Sequence, residues 1–177
     1  MNYWLISDTH FNHTKLEEWG NRSGNWQDQI WNGLRLIPGN ETLIHLGDIC
    51  IGDDLEIHNA ISSLICKKIL VKGNHDKKST TWYYDHGWDF VVDGFELLYN
   101  GHYLYFSHRP IYPFSHITWN IHGHTHGNMH RSEEYYSFYS PQFHIDLSPE
   151  LVGYSPISLN SLMKSKSYSK LPLIPSL

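Results

Sequence analysis

Three features of the sequence predict an α/β protein: short apolar runs, an amphipathic stretch at helical spacing between the first two of them, and metal-binding residue types placed directly after the runs. The first run, Tyr3-Trp4-Leu5-Ile6, stops at Ser7-Asp8. Trp26, Ile30, Trp31, Leu34 and Ile37 then recur at helical spacing, so 25–37 reads as a packed helix ending before Pro38-Gly39. Thr42-Leu43-Ile44-His45-Leu46 leads to Gly47-Asp48, Asp53-Asp54 starts a second helix through Ile65, and Ile69-Leu70-Val71-Lys72 leads to Gly73-Asn74. Phe95-Glu96-Leu97-Leu98-Tyr99 and Tyr103-Leu104-Tyr105-Phe106 flank Asn100-Gly101, the dipeptide of a two-residue hairpin turn. The second of these runs continues through Ser107 to His108, and Ile117-Thr118-Trp119-Asn120-Ile121 leads to the Gly123 loop. Strands buried on both faces read as continuous apolar runs, and α/β proteins gather ligands at strand carboxyl ends, so all five loops are expected at the mouth of one sheet. Residues 132–142, rich in Tyr and Ser, suggest no element. From Lys164 a Ser-Lys alternation passes into Leu171-Pro172-Leu173-Ile174-Pro175, which divides the chain into a domain, 1–163, and a tail, 164–177.

Composition bounds the function. At 177 residues and 40% hydrophobic, the chain has material for one domain with an ample core. A net charge of -5 argues against binding duplex nucleic acid through a broad basic face, while leaving room for a nucleotide or an oligonucleotide end. Two cysteines, Cys50 and Cys66, make no disulfide framework, and Cys50 reads as a buried free thiol. With no run long enough to span a bilayer and no signal-peptide pattern, the expected location is cytoplasmic, with no membrane partner. Nothing in the pattern sets an oligomeric state.

The chemistry lies in the loops. Asp8, His10, Asp48, Asn74, His108, His124 and His126 offer carboxylate, imidazole and carboxamide donors with no thiolate, a set suited to manganese, iron(II) or zinc. One ion would leave donors over. If Asp48 bridges, the residues form two sets of four: Asp8, His10, Asp48 and His126, and Asp48, Asn74, His108 and His124. Two divalent ions, offset by two carboxylates and a bridging hydroxide, leave about one positive charge to attract a phosphate. Gly47, Gly73 and Gly123 stand directly before ligands or one residue removed from them, where a Cβ would obstruct a sharp turn or a close backbone approach.

These segments, Asp8-Thr9-His10, Gly47-Asp48, Gly73-Asn74-His75-Asp76, His108 and Gly123-His124-Thr125-His126, resemble in full and in order the motif set of the calcineurin-like metallophosphoesterase superfamily. The likeness spans Asp8 to His126 and extends to Ser158 if Ser155-Pro156-Ile157-Ser158-Leu159 is the closing segment of the small bacterial and phage members. It implies a four-layer αββα sandwich of two mixed β-sheets flanked by helices, and two divalent metal ions on the seven ligands. It also implies that His75 is the acid or leaving-group histidine and that Asp76 orients it. Hydrolysis of a phosphomonoester or phosphodiester by a metal-bridging hydroxide is the expected activity.

Further residues are candidates for holding a small phosphorylated substrate, a nucleotide among the options. Arg109 follows His108, and Arg22 lies in the loop after the first strand; either guanidinium suits a phosphate oxygen. His13 lies near the first ligand loop. Lys67, Lys68, Lys72, Lys77 and Lys78 flank the Gly73 loop, with Lys67 and Lys68 read as solvated positions. Asn12 and the aromatics Phe11, Trp82, Tyr83, Tyr84 and Tyr112 are candidates for a pocket rim. His122 extends the last motif to His-x-His-x-His but lacks the Asp-His that would make a metallo-β-lactamase pattern. The competing class is an interaction module that keeps the fold and performs no chemistry; an intact His75 favours the enzyme.

Overall fold

The computed structural model describes residues 2–18, 22, 24–52, 54–127, 135 and 137–169, with the side chains of 17, 18 and 167–169 left aside. Among the described residues nine strands form two mixed sheets. The first contains β1 (Tyr3–Ile6), β2 (Thr42–His45), β3 (Lys67–Val71), β4 (Phe90–Val92) and β9 (Ile157–Ser158), ordered β4-β3-β2-β1-β9. Its strands are parallel except β9, which closes the edge by pairing antiparallel with β1, Trp4 opposite Ser158 and Leu5 opposite Ile157. The second sheet contains β5 (Gly94–Tyr99), β6 (His102–Ser107), β7 (Trp119–His122) and β8 (His144–Asp146) in sequential order. Its β5–β6 pair is the expected hairpin, with Asn100 and Gly101 at φ 49° and 81°, and the remaining pairs are parallel.

Side-chain alternation makes the layers. In the first sheet Leu5, Ile44 and Val71 face the second sheet and pack against Leu104, Phe106, Trp119, Ile121 and Ile145. Their neighbours Ile6, Leu43 and Leu70 point the other way, under the helices. Those helices are α1 (Lys15–Glu18), α2 (Trp26–Arg35), α3 (Asp54–Ser62) and α4 (Thr80–Asp85). From α2 come Trp26, Ile30 and Leu34, from α3 Ile57 and Ile61, and from α4 Tyr83. On the outer face of the second sheet the described cover is loop: Asn120 accepts from the Ile111 amide, and His144 stacks on Tyr139. Two further helices follow β8, α5 (Pro149–Val152) and α6 (Leu159–Ser169), and Leu159, Leu162 and Met163 of α6 enter the inter-sheet core. Helix α6 runs without a break across position 163; residues 170–177, the rest of the expected tail, lie outside the described residues. Helix α3 stops at Ser62, short of the expected Ile65. Among the described residues no helix is long and apolar enough to cross a membrane.

Candidate metal centre

Contrary to the expectation from the strands alone, the five ligand loops do not share one sheet. Three follow β1, β2 and β3, and two follow β6 and β7 of the other sheet. Face-to-face packing brings the two sets of ends together, and backbone bonds lace the loops: Asp8 N–H to Gly47 O at 2.9 Å, His10 N–H to Asp48 O at 3.0 Å, Gly123 N–H to His108 O at 3.0 Å.

Two groups of donor atoms result, Asp8, His10 and His126 in one and Asp48, His108 and His124 in the other, with the atoms of each group within 4.8 Å of one another. In the first, Asp8 Oδ1 lies 3.8 Å from His10 Nε2 and 3.5 Å from His126 Nε2. In the second, His108 Nε2 lies 3.0 Å from Asn74 Oδ1, 3.1 Å from His124 Nδ1 and 3.4 Å from Asp48 Oδ2. The same Asp48 Oδ2 is 3.8 Å from His10 Nε2, so it stands between the groups.

This environment fits cations. Asp8 Oδ1 is buried with no hydrogen-bond partner among the described residues, which is costly unless a positive charge faces it. His108 donates from Nδ1 to the Leu46 carbonyl at 2.8 Å and turns Nε2 toward the other donors. Burial would depress the His108 pKa, yet the Asp48 and Asp8 carboxylates push it up to about 9, so the field at this point favours positive charge. Burial raises Asp8 to about 6, whereas hydrogen bonds from His108 and the His75 amide hold Asp48, against its own burial, well below the usual carboxylate range. Burial, with His108 beside it, lowers His124 to about 4.

The backbone is bent to make this arrangement. Of the eight non-glycine residues at positive φ among those described, five are Asp8, His10, Asp48, His124 and His126. Such conformations persist only where surrounding structure over-determines them, and they gather at functional sites. Close approach is the other device: a Cβ on Gly123 would overlap Ser7 Oγ and Asp8 Oδ2, and one on Gly73 would overlap Asp48.

Asp76 has a different place from the one expected. Its carboxylate does not orient His75; Oδ2 accepts from the Asp48 and Gly73 amides at 2.8 and 2.7 Å, and Oδ1 from the Ile49 amide at 3.2 Å. It is buried and clamps the second ligand loop to the third. His75 instead reaches toward Asp48, Nε2 to Oδ2 3.9 Å, with its ring 5.5 Å from that of His10 and its side chain 48% exposed. It stands at the open side of the centre.

Arg22 likewise does not face a substrate. Its side chain is fully buried, with Nη2 on the Asp8 carbonyl at 2.7 Å, Nη1 on the Thr9 carbonyl at 2.9 Å and Nε on Glu150 Oε1 at 2.7 Å, so it cannot reach a substrate. His13 is half-buried at the lip, its ring 5.9 Å from that of His10. Arg109 is exposed and, with Lys72, Tyr105, Asn74 and His108, lines a pocket of about 360 Å³ beside the second group. Three of the aromatics expected at a rim lie elsewhere: Phe11 is buried against Trp26 and Trp31, and Trp82 and Tyr83 pack on His58. Lys68 is not solvated; its ammonium is buried on the Leu64 and Cys66 carbonyls. The His122 ring lies 5.7 Å from those of Tyr139 and His144, and His122 belongs to neither donor group.

Several supporting residues escaped the sequence reading. Glu150 Oε1 accepts from His126 Nδ1 at 3.1 Å. Asp146 holds the last ligand loop through Thr125 Oγ1 and the Gly127 amide. His45 accepts the Gly47 amide at Nδ1 (3.1 Å) and donates from Nε2 to Thr9 Oγ1 (2.9 Å), which passes its own hydrogen to the Ile49 carbonyl. A signal for the first two was present: His144-Ile145-Asp146 is one more short run ending in a carboxylate, and Ser148-Pro149-Glu150 is a helix start.

The Calcineurin-like phosphoesterase superfamily domain matches residues 1–141. An uncharacterized protein from Methanocaldococcus jannaschii is 30% identical over 173 residues, covering 91% of this chain and 89% of its own. A protein of unknown function from Aquifex aeolicus superposes with a TM-score of 0.72 at 25% identity, over 93% of this chain and 98% of that one. The phosphoesterase Yfce from E. coli gives 0.43 at 16% identity, over 71% and 70%.

Proposed function

The chain belongs to the calcineurin-like phosphoesterase superfamily, and from that premise we propose that it is a hydrolase of small phosphoesters using two divalent cations. The observation that carries the proposal is Asp48 Oδ2 standing between two groups of inward-facing donors. Asp8, His10, Asp48 and His126 would hold one ion and Asp48, Asn74, His108 and His124 the other. Hard-to-borderline donors suit manganese, iron or zinc. Such a pair, when bound, neutralises phosphate oxygens and lowers the pKa of water.

The protein's own groups supply the rest. His75, on the open side and within reach of Asp48, donates a proton to the departing ester oxygen. Arg109 at the neighbouring pocket adds positive charge for a second phosphate oxygen or an anionic leaving group. About 360 Å³ accommodates a leaving group of nucleoside size or smaller, which supports a nucleotide-like substrate. Asp76, through three amides, keeps the Asp48 loop fixed while charge develops. Two buried cysteines, neither of them in a disulfide, fit a reducing, cytoplasmic setting.

The test is hydrolysis by the purified chain of a chromogenic phosphomonoester and its bis-ester, with manganese and with EDTA. Metal-dependent turnover of either is expected, and the preferred one assigns the ester class. Turnover of neither would overturn the proposal in favour of an interaction module.

A further inference from the structure

Arg22 and Glu150 close a ring of contacts. From the first ligand loop, Arg22 takes the carbonyls of Asp8 and Thr9, and through Nε it donates to Glu150 Oε1. That same oxygen accepts from His126 Nδ1, whose Nε2 faces Asp8 Oδ1 at 3.5 Å. The ring therefore joins a ligand at the end of the first sheet to one at the end of the second. Its members are deeply seated: the Arg22 guanidinium stacks on Trp26 at 4.6 Å, and Glu150 Oε2 is buried with no hydrogen-bond partner among the described residues. A half-satisfied carboxylate is expensive to bury, so packing alone does not account for a glutamate there.

We propose that Arg22 and Glu150 are positioning residues for the ion held by Asp8, His10 and His126, and that they act on this ion alone. The inference rests on the metal-centre reading above. A carboxylate accepting from Nδ1–H fixes the tautomer and the ring orientation of His126, so that the Nε2 lone pair faces Asp8, and it makes that nitrogen a stronger donor. Arg22 holds the carbonyls of Asp8 and Thr9, next to a backbone turned to φ 50° at Asp8, and sets where Glu150 sits. The second group has a different support, since His108 Nδ1 bonds the Leu46 carbonyl. Loss of Glu150 should therefore separate the two ions.

Metal-stripped protein titrated with manganese by calorimetry tests this. Wild type is expected to take up two ions. Glu150→Ala should weaken one of them roughly 10- to 100-fold and leave the other unchanged. Glu150→Gln, whose amide oxygen still accepts from Nδ1–H, should recover part of the loss, and Arg22→Met should weaken the same ion. A purely structural role would lower the melting temperature without separating the ions or Gln from Ala. If wild type takes up two ions and Glu150→Ala binds both as tightly, or loses both equally with Gln no better, the inference is overturned while the metal centre stands. Should Glu150→Ala fail to fold, the comparison of Glu150→Gln with wild type decides, unchanged affinity for both ions overturning the inference. A wild-type chain that binds no ion overturns both.

Discussion

Replacing His45 by Ala should narrow, on acidification, the stability gap it opens at neutral pH. His45 is buried at the end of β2, and its two ring nitrogens link the Gly47 amide to Thr9, tying the first two ligand loops together. At pH 8 the variant forfeits two hydrogen bonds worth about 1 kcal/mol each, and an imidazole-sized void adds to that, for a total of about 2 to 4 kcal/mol. Burial, reinforced by His58, lowers the His45 pKa from 6.5 to about 3. Its neutral form is thus favoured in the fold, and as pH falls from 6.5 toward 3 the unfolded chain takes up a proton that the folded one refuses. At pH 5 that costs wild type about 2 kcal/mol, a penalty the variant lacks. Urea unfolding of both chains in EDTA, at pH 8 and pH 5, should therefore show the gap shrinking by about 2 kcal/mol. Other titrating groups act equally on both and cancel in the difference. A gap of the same size at both pH values would refute the reasoning, because His45 would then not be a buried neutral link.

Two further substitutions probe the site itself. Gly123→Ala places a Cβ on Asp8 and Ser7, so it should destabilise the fold by about 1 to 3 kcal/mol in urea unfolding and weaken manganese uptake in the group containing Asp8. His75→Gln, at a largely solvent-facing position, should lower kcat by roughly 10²- to 10⁴-fold while calorimetry still counts two manganese ions. Loss of metal together with activity would make His75 a ligand support instead.

Strand positions were legible because burial on both faces leaves continuous apolar runs: Tyr3–Ile6 was read to the residue, and Thr42–His45 and His102–Ser107 within one. The hairpin was legible for a local reason, since the dipeptide Asn100-Gly101 readily takes the two positive φ angles that the turn requires. Less visible was the second sheet's share of the ligand loops, because an apolar run carries no mark of which sheet receives it. Side-chain partners were hidden for the same reason. Arg22 reads as a cation in a loop, and only the fold reveals that Trp26, two carbonyls and Glu150 enclose it. Asp76, next to His75 in sequence, reads as its neighbour, whereas its oxygens point back to the amides of Gly73, Asp48 and Ile49.

The chain by itself determined its family and the residue types at its centre, because donor chemistry and loop glycines are local properties written in short motifs. Only tertiary structure decided which carboxylate braces which histidine and which cation faces solvent. Those outcomes depend on packing two sheets against each other, and residues as far apart as Arg22 and Glu150 meet through that packing and through nothing in the sequence between them.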